Sequence, residues 1–185
     1  MQKTIQIGAW VGGNGQYPQP TAGNIQAFQA LQGGRAELLS LFALFDINTW
    51  DWVEPFAETA RENGSTLVIT WMPNGYSARK IIYGEADPYI RHFAKGVKKY
   101  GYEVWLRPLH EANGDWYDWG VGKLGAGNTD ADVAEAFRHI VRIFREESVK
   151  NVKWVWTTNS SNVGENTTFT GTYPGDDFVD YISID

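Results

Sequence analysis

The 185-residue sequence contains no cysteine, which excludes disulfides, thiolate metal sites and a cysteine nucleophile. It also lacks a run of basic residues, and its net charge of -6 argues against a nucleic-acid partner. No stretch approaches the roughly 20 apolar residues of a membrane span, and the first residues lack the apolar core of a signal peptide. We therefore predict a soluble chain with neither nucleic acid nor membrane as a partner.

Phosphate-binding and metal-binding motifs are missing as well. Neither G-x-G-x-x-G nor G-x-x-x-x-G-K stands at any predicted strand end. The chain has three histidines; His92 and His139 fall within helical patterns, where surface or packing roles are expected. Since no group of His, Asp and Glu shows usable ligand spacing, we predict no metal and no cofactor.

Aromatic residues are abundant instead. They make up 15% of the chain, with nine Trp, nine Tyr and nine Phe. Because Trp is normally rare, this content indicates a role beyond filling the core.

Short apolar runs alternate with helical patterns along the whole chain. The six predicted strands begin near Ile5, Leu38, Leu67, Val104, Val152 and Val179, and the predicted helices cover residues 24–31, 49–63, 87–101 and 128–144. Continuous apolar runs are typical of parallel strands that are covered on both faces. The pattern shows no linker or repeat, so residues 1–185 are predicted to form one domain.

This rhythm is compatible with a doubly wound open sheet or with part of a (β/α)8 barrel. A phosphate loop would favour the open sheet, but residues 12–15, Gly-Gly-Asn-Gly, continue into a Pro-rich segment and are interpreted as a loop. Polar and aromatic residues crowd at the predicted strand ends, where barrel enzymes place their chemistry. The sequence therefore favours the barrel.

The segment from residue 104 to residue 120 is the most informative. A buried strand leads directly into His110 and Glu111, and the following loop carries three large aromatic residues. Aromatic faces beside a carboxylate suit sugar rings, so the combination indicates glycoside chemistry. Two alternatives remain from the residue types alone: an ion pair between Glu111 and Arg107, and a purely structural aromatic cluster beneath a long loop.

Residues 107–117, RPLHEANGDWY, resemble the acid/base motif of glycoside hydrolase family 26, in particular the bacterial lichenase-type β-1,3-1,4-glucanases. The likeness extends to residues 7–12, 69–71, 151–155, 173–176 and 179–185. It departs from the family at residues 72–74, Met-Pro-Asn, where relatives often carry Glu-Pro-aromatic. It departs again at Asp118, which replaces a common Pro. Both departures concern the subsites rather than the reaction.

The resemblance implies a (β/α)8 TIM barrel that cleaves β-linked polysaccharide with retention, with Glu111 as the general acid/base. It implies a role for His110 near the nucleophile or the sugar. Further substrate-binding residues are expected at Asn113, Trp116, Tyr117, Trp119, Trp71, Trp10, Asn159 and Tyr173.

The family's nucleophile is a Glu that closes the seventh strand, whereas six strands are predicted here. Asp46, Asp180 and Asp185 do not match its position. Because such a barrel typically needs about 250 residues, we expect an incomplete N-terminal portion of about six βα units, inactive and aggregation-prone by itself. Carbohydrate-binding or dockerin modules in a longer parent chain are compatible with the resemblance.

The resulting hypothesis is a secreted retaining endo-β-glycanase that acts on mixed-linkage β-1,3-1,4-glucan (lichenan). Secretion is expected because a polymeric glycan does not enter a bacterial cell. The alternatives are an endo-β-1,4-mannanase of the same family and a carbohydrate-binding fragment without catalytic activity.

Overall fold

The computed structural model describes residue 6, residues 8–12 and residues 20–185. These residues form six parallel strands: β1 (Gly8–Ala9), β2 (Leu38–Leu44), β3 (Thr66–Met72), β4 (Val104–Pro108), β5 (Val152–Thr158) and β6 (Tyr181–Ile184). The helices are α1 (Ala22–Gln32), α2 (Trp50–Glu62), α3 (Ala78–Ile82), α4 (Asp87–Tyr100) and α5 (Asp130–Glu146).

The order of the strands in the sheet decides between the two architectures. The strands lie side by side in the order of the sequence, from β1 to β6. A doubly wound sheet reverses its strand order at a switch point, whereas a barrel does not. Residues of β1 and β6 also line one cavity together with Arg107 of β4, so the sheet curls into a half-barrel. The expected βα barrel arrangement of about six units is therefore confirmed.

The four predicted helices are present within about two residues of their predicted ends, because their termini carry explicit signals. The side chain of Thr21 caps α1, and Thr129 and Asp132 form a reciprocal capping box at α5. Gly101 ends α4 with a left-handed φ of 78°. The N-cap of α4 is Ala86, and Asp87 is the first residue of the helix.

Some elements differ from the predictions. The five-residue helix α3, capped by Ser77, was not predicted. Between β5 and β6 the only helical segment is a 3₁₀ turn, Asp176–Phe178, and β6 begins at Tyr181 rather than near Val179. The start of the first predicted strand at Ile5, and residues 13–15 of the glycine-rich loop, lie outside the described residues.

The core lies between the outer face of the sheet and the helices. Trp71 of β3 belongs to it: the side chain is fully buried, and its ring centroid lies 4.5 Å from that of Phe93 in α4. The indole Nε1 donates a hydrogen bond to the hydroxyl of Tyr89 at 3.0 Å. The structure thus places Trp71 against the helices and not at the cleft where the sequence placed it. No helix among the described residues is long and apolar enough to cross a membrane.

The inner face of the half-barrel is more polar. Arg107 of β4 donates to the hydroxyl of Thr70 in β3 and forms an ion pair with Asp185 at 2.7 Å. Nearby, the hydroxyls of Thr157 and Ser183 lie 2.6 Å apart. These bonds satisfy polar side chains that would otherwise be costly to bury.

Candidate active site

Glu111 lies at the carboxyl end of β4, and its carboxylate is held from two sides. The side-chain amide of Asn159, directly after β5, donates to Oε1 at 3.0 Å. The indole Nε1 of Trp116 donates to Oε2, also at 3.0 Å. Both donors are neutral, and together they fix the direction in which the carboxylate points.

The backbone around Glu111 is strained. Leu109 and Glu111 have φ values of 55° and 53°, in the left-handed region that non-glycine residues rarely adopt. Each such residue costs about 1–2 kcal/mol. A hydrogen bond from the Glu111 N–H to the carbonyl of Thr157 in β5 holds the conformation. Strain that the surrounding structure maintains is concentrated at functional sites, and here it accompanies the turn of the chain after β4 that carries Glu111.

A buried asparagine supports this arrangement from beneath. Asn113 is fully buried; its side-chain oxygen accepts from the N–H of Asn159, and its amide donates to the carbonyls of Asn159 and Ser161. These bonds hold Asn159 in register with Glu111. Asn113 therefore acts on the carboxylate through Asn159, and it has no surface with which to contact a substrate.

The aromatic residues of the same loop form a stack. The rings of Tyr117 and Trp119 lie 4.3 Å apart at an interplanar angle of 9°. Trp119 is fully buried and donates its Nε1 to the carbonyl of His110. Tyr117 is partly buried and covers Trp119, while Trp116 is 39% exposed.

A glycine allows Trp116 to reach Glu111. A Cβ atom on Gly114 would lie 2.5 Å from two carbons of the Trp116 ring. Any other residue at this position would therefore push the indole away from the carboxylate.

His110 lies beneath Tyr117, with its Nε2 atom 3.0 Å from the Tyr117 hydroxyl. The side chain is 2% exposed, and Nδ1 has no hydrogen-bond partner among the described residues. Burial, aided by the positive charge of Arg107, lowers the pKa of His110 to about 3. The imidazole is therefore neutral at physiological pH, and any effect on a sugar would pass through Tyr117.

The predicted alternative of an ion pair between Glu111 and Arg107 is not present. Arg107 directs its guanidinium to Asp185 and Thr70, inside the half-barrel. The carboxylate of Glu111 thus has no cationic partner among the described residues, although it lies at the end of a buried strand.

Asp118, where the sequence departs from the family, contacts the residue that directly follows the other departing segment, residues 72–74. Asp118 accepts a hydrogen bond from the N–H of Gly75 at 2.8 Å. The buried Asn128 adds a second connection, because its amide donates to the carbonyls of Asp118 and Gly120 while its oxygen accepts from the N–H of Ala78. The aromatic loop and the loop after β3 are therefore joined.

We compared the sequence and the structure with those of known proteins. The sequence profile of glycosyl hydrolase family 26 matches residues 56–185, well over half of the chain. The chain belongs to glycosyl hydrolase family 26.

Among the curated relatives, Endoglucanase H of Acetivibrio thermocellus is 48% identical over 181 residues, which cover 98% of this chain and 19% of that protein. A mannan endo-1,4-beta-mannosidase of Bacillus subtilis is 33% identical over 94 residues, covering 48% of this chain and 24% of that protein. The solved modular endo-beta-1,4-mannanase of Cellulomonas fimi superposes with a TM-score of 0.73 at 17% identity, over 98% of this chain and 48% of that chain. This last similarity shows the fold. The chain thus spans less than half the length of each of these proteins.

The structure places some of the predicted site residues near Glu111 and buries others. Trp116 and Asn159 bond Glu111, and Tyr117 lies beside Trp116 with ring centroids 6.2 Å apart. The half-exposed Trp10 lines the cavity inside the half-barrel. His110, Asn113 and Trp119 lie beneath them as buried supports.

Tyr173 lies elsewhere. Its ring contacts Trp156, and its hydroxyl donates to Asp176. Trp156 follows Trp154 by two residues in β5, and Trp154 packs on Phe137 of α5. Since alternate residues of a strand share a face, Tyr173 lies on the helix side of the sheet, away from Glu111.

Sequence reasoning did not find every residue at this end of the barrel. Phe42 of β2 contacts His110 edge-on with ring centroids 6.5 Å apart, and an adjacent cavity is lined by Leu44, Trp52 and Asn74 among others. The only available signal was their position at strand ends and in the first turn of α2. No group of three or more potential metal ligands occurs among the described residues.

The depressed pKa of His110 predicts a pH-dependent stability. The folded protein holds His110 neutral down to about pH 3, whereas the unfolded chain protonates it near pH 6.5. Stability contributed by neutral His110 is therefore complete above pH 6.5 and decreases as the pH falls toward 3. Between pH 7 and pH 5 this contribution should decrease by about 2 kcal/mol. Urea unfolding of His110→Gln should show a correspondingly weaker pH dependence, because glutamine does not titrate.

The matched control is His92→Gln, since His92 is exposed on α4. It should retain the pH dependence of the unsubstituted protein. An unchanged pH dependence in His110→Gln would show that acid sensitivity arises elsewhere.

Proposed function

We propose that the protein is a retaining endo-β-glycan hydrolase in which Glu111 is the general acid/base. The observation that carries this proposal is the carboxylate of Glu111, oriented by Asn159 and Trp116 at a strand end beside an exposed aromatic surface. In the first half-reaction Glu111 protonates the leaving glycosidic oxygen, and in the second it deprotonates the attacking water.

The two carboxylate oxygens have different surroundings. Asn159, the partner of Oε1, is held by several further bonds to Asn113 and Ser161. Trp116, the partner of Oε2, is exposed on a loop. We infer that a bound glycan displaces the Trp116 indole from Oε2, which then bonds to the glycosidic oxygen. Asn159 stays bonded to Oε1 and keeps the carboxyl group oriented during proton transfer.

Retention requires a second carboxyl group about 5 to 5.5 Å from the first. Asp46 is engaged by the hydroxyl of Tyr76, Asp185 by Arg107, and Asp180 by Lys153. We propose that the nucleophile is contributed by chain beyond Asp185, after a seventh strand. Assays of turnover therefore use the protein extended to include that strand.

The proposed substrate is mixed-linkage β-1,3-1,4-glucan. Support comes from the long match at 48% identity with a protein named Endoglucanase H, which covers nearly all of this chain. Because polymeric glucan does not enter a bacterial cell, the proposed site of action is extracellular.

Endo-β-1,4-mannanase is a second candidate. Several curated relatives are mannan endo-1,4-beta-mannosidases, although each matches less than half of this chain at 33% to 35% identity. Solved mannanases also share the fold. Both candidates use the same chemistry at Glu111 and differ in the shape of the sugar residues that the cleft admits.

Comparison of lichenan with galactomannan tests the substrate. We expect kcat/KM for lichenan to exceed that for galactomannan by about tenfold or more, equivalent to roughly 1.4 kcal/mol of transition-state discrimination. Reducing-sugar release from both polymers measures it. Faster hydrolysis of galactomannan would instead support the mannanase.

Affinity electrophoresis of the 185-residue chain in each polymer measures binding separately from turnover. Binding by this chain, without hydrolysis by the extended protein, would support a carbohydrate-binding role.

A further inference from the structure

Asparagine followed directly by glycine occurs three times among the described residues, as Asn63–Gly64, Asn74–Gly75 and Asn113–Gly114. In such a pair the backbone nitrogen of the glycine can attack the side-chain carbonyl carbon of the asparagine, because glycine has no Cβ atom to hinder the approach. The attack closes a five-membered succinimide ring and releases ammonia. In a folded protein the reaction also depends on how firmly both groups are held.

The pair at Asn113 is held by the buried part of the candidate site. Asn113 is fully buried, and its amide donates to the carbonyls of Asn159 and Ser161. The N–H of Gly114 donates to the carbonyl of Glu111 at 3.1 Å. Ring closure would leave these buried polar groups without partners, which is unfavourable. We therefore expect no reaction at Asn113.

The pair at Asn63 is held at the end of α2. The amide of Asn63 donates to the carbonyl of Thr59 at 2.8 Å, and the N–H of Gly64 donates to the carbonyl of Arg61 at 2.9 Å. The nitrogen that would leave and the nitrogen that would attack are thus both engaged in hydrogen bonds. Breaking two such bonds slows the reaction by about tenfold or more.

The pair at Asn74 lies in the loop after β3, and its surroundings are open. Asn74 is exposed, and its side chain has no hydrogen-bond partner among the described residues. A Cβ atom on Gly75 would meet no atom within 4 Å. The Asn74 amide can therefore turn toward the Gly75 nitrogen without losing a hydrogen bond.

The N–H of Gly75 also faces a base. It donates to Oδ2 of Asp118 at 2.8 Å, whereas the glycine N–H groups of the other two described pairs donate to carbonyls. A general base must lie within hydrogen-bond reach, about 2.6–3.2 Å, of the atom whose proton it takes. Asp118 meets this requirement before the reaction begins.

Positive charges lie beside the same pair. Gly75 and Asp118 line a cavity of about 370 Å³ together with Lys80 and Lys123. The ammonium of Lys80 lies 3.4 Å from the carbonyl oxygen of Gly75. These cations favour the negative charge that develops on the attacked carbonyl of Asn74, and they favour a carboxylate product.

We propose that Asn74–Gly75 is a self-modification site, which deamidates with Asp118 as the general base. As the Gly75 nitrogen bonds to Cγ of Asn74, its proton passes to Oδ2 of Asp118. The bond from Cγ to Nδ2 then breaks, and Nδ2 takes up this proton and leaves as ammonia. Because both residues of the pair are exposed, water reaches the succinimide, adds to one of its two carbonyls and opens the ring to aspartate or isoaspartate.

The modification changes the contact between two loops of the candidate site. The bond from Gly75 to Asp118 joins the loop after β3 to the loop that carries Trp116. Aspartate at residue 74 places a second carboxylate near Asp118, and like charges repel. Isoaspartate lengthens the backbone between residues 74 and 75 by one carbon atom. Both products therefore weaken this connection irreversibly, whatever glycan Glu111 cleaves.

Mass spectrometry of the protein extended beyond Asp185 tests the proposal. The extended protein is incubated in neutral buffer and digested, and each deamidated residue gains one dalton. Asn63 and Asn74 share the tryptic peptide 62–79, so fragment ions assign the change to one of them. We expect Asn74 to react about tenfold or more faster than Asn63 and Asn113. In urea the three pairs should react at comparable rates, because the contacts of the folded state are absent.

Asp118→Asn tests the base. The variant keeps a side-chain oxygen that accepts the hydrogen bond from Gly75, but an amide does not take the proton. It should slow the reaction of Asn74 by about tenfold or more. Asp115→Asn is the matched control, since Asp115 is exposed in the same loop and is not the partner of Gly75. It should leave the rate unchanged.

Three results would overturn the proposal. Equal rates at Asn63 and Asn74 in the folded protein would show that the pair is not selected. A lead of Asn74 that persists in urea would show that neighbouring sequence, and not the fold, sets the rate. An unchanged or faster reaction in Asp118→Asn would show that the carboxylate restrains Gly75 instead of activating it. None of these results depends on the hydrolysis of a glycan, so they are independent of the proposed function.

Discussion

Replacement of Glu111 by alanine is expected to lower the rate of β-glucan hydrolysis by about 10²- to 10⁴-fold, the usual contribution of a positioned general acid/base. Without the carboxyl group the leaving oxygen departs unprotonated, and water is not activated in the second step. The amide of Asn159 and the indole of Trp116 lose their shared acceptor at the same time. Reducing-sugar release from barley β-glucan by the protein extended beyond Asp185 measures this effect.

Chemical rescue makes the assignment specific. An activated aryl glycoside has a leaving group that departs without protonation, so Glu111→Ala should form the glycosyl-enzyme intermediate and then stall. Azide needs no general base, and its addition should restore turnover and yield a glycosyl azide. Glu85→Ala is the control, because Glu85 is exposed before α4. Unimpaired hydrolysis by Glu111→Ala would contradict the assignment of Glu111 as the general acid/base.

Replacement of Gly96 by alanine is expected to destabilise the fold by a net amount of about 2 kcal/mol, from an overpacking cost of about 3 kcal/mol and a gain in helix propensity of about 1 kcal/mol. A Cβ atom on this residue of α4 would lie 2.3–2.5 Å from three atoms of the Trp50 side chain. Trp50 is 1% exposed and packs on Phe93 and Tyr100, so it has no space into which to move. The improved helix propensity of alanine, about 1 kcal/mol, is smaller than this overpacking cost. Urea unfolding followed by circular dichroism gives the free energy of unfolding.

Gly23→Ala is the matched substitution in α1. A Cβ atom there would meet no atom within 4 Å, and the backbone is helical. It should stabilise the protein by about 0.5–1 kcal/mol, because glycine loses more conformational entropy on folding. Equal effects of the two substitutions would show that the contact between Gly96 and Trp50 is looser than the structure has it.

Most of the secondary structure could be predicted from the sequence because local signals specify it. The capping residue Thr129 and the terminal Gly101 mark helix ends by hydrogen bonds and backbone conformation within one turn. The short helix α3 has a cap at Ser77 but too few residues for an apolar period to be visible. Its place is determined by packing on α5 and by the bond from the Ala78 N–H to Asn128, fifty residues away.

The sequence predicted less well which aromatic residues lie at the cleft and which are buried. In a parallel sheet both faces of a strand are covered, so the apolar pattern of β3 does not show which face Trp71 occupies. Trp119 and Tyr173 lie in loops, where no periodic pattern shows which side chains are buried. Trp52, in the first turn of α2, is partly buried: it packs against the core and also lines a cavity at the carboxyl ends of β2 and β3.

The sequence by itself determined the βα rhythm, the helix ends and the parallel sheet, and it singled out Glu111 as the candidate acid/base, because each of these depends on residues that are close together in the chain. Only the tertiary structure decided that Asn159 and Trp116 orient Glu111, that Arg107 pairs with Asp185, and which tryptophans are buried. The bond from Trp116 lies within the loop after β4, whereas the bonds from Asn159 and Arg107 join different strand ends and depend on the sheet, which brings distant segments together. The aromatic excess is thus divided by the fold into a buried core and an exposed rim that suits a sugar.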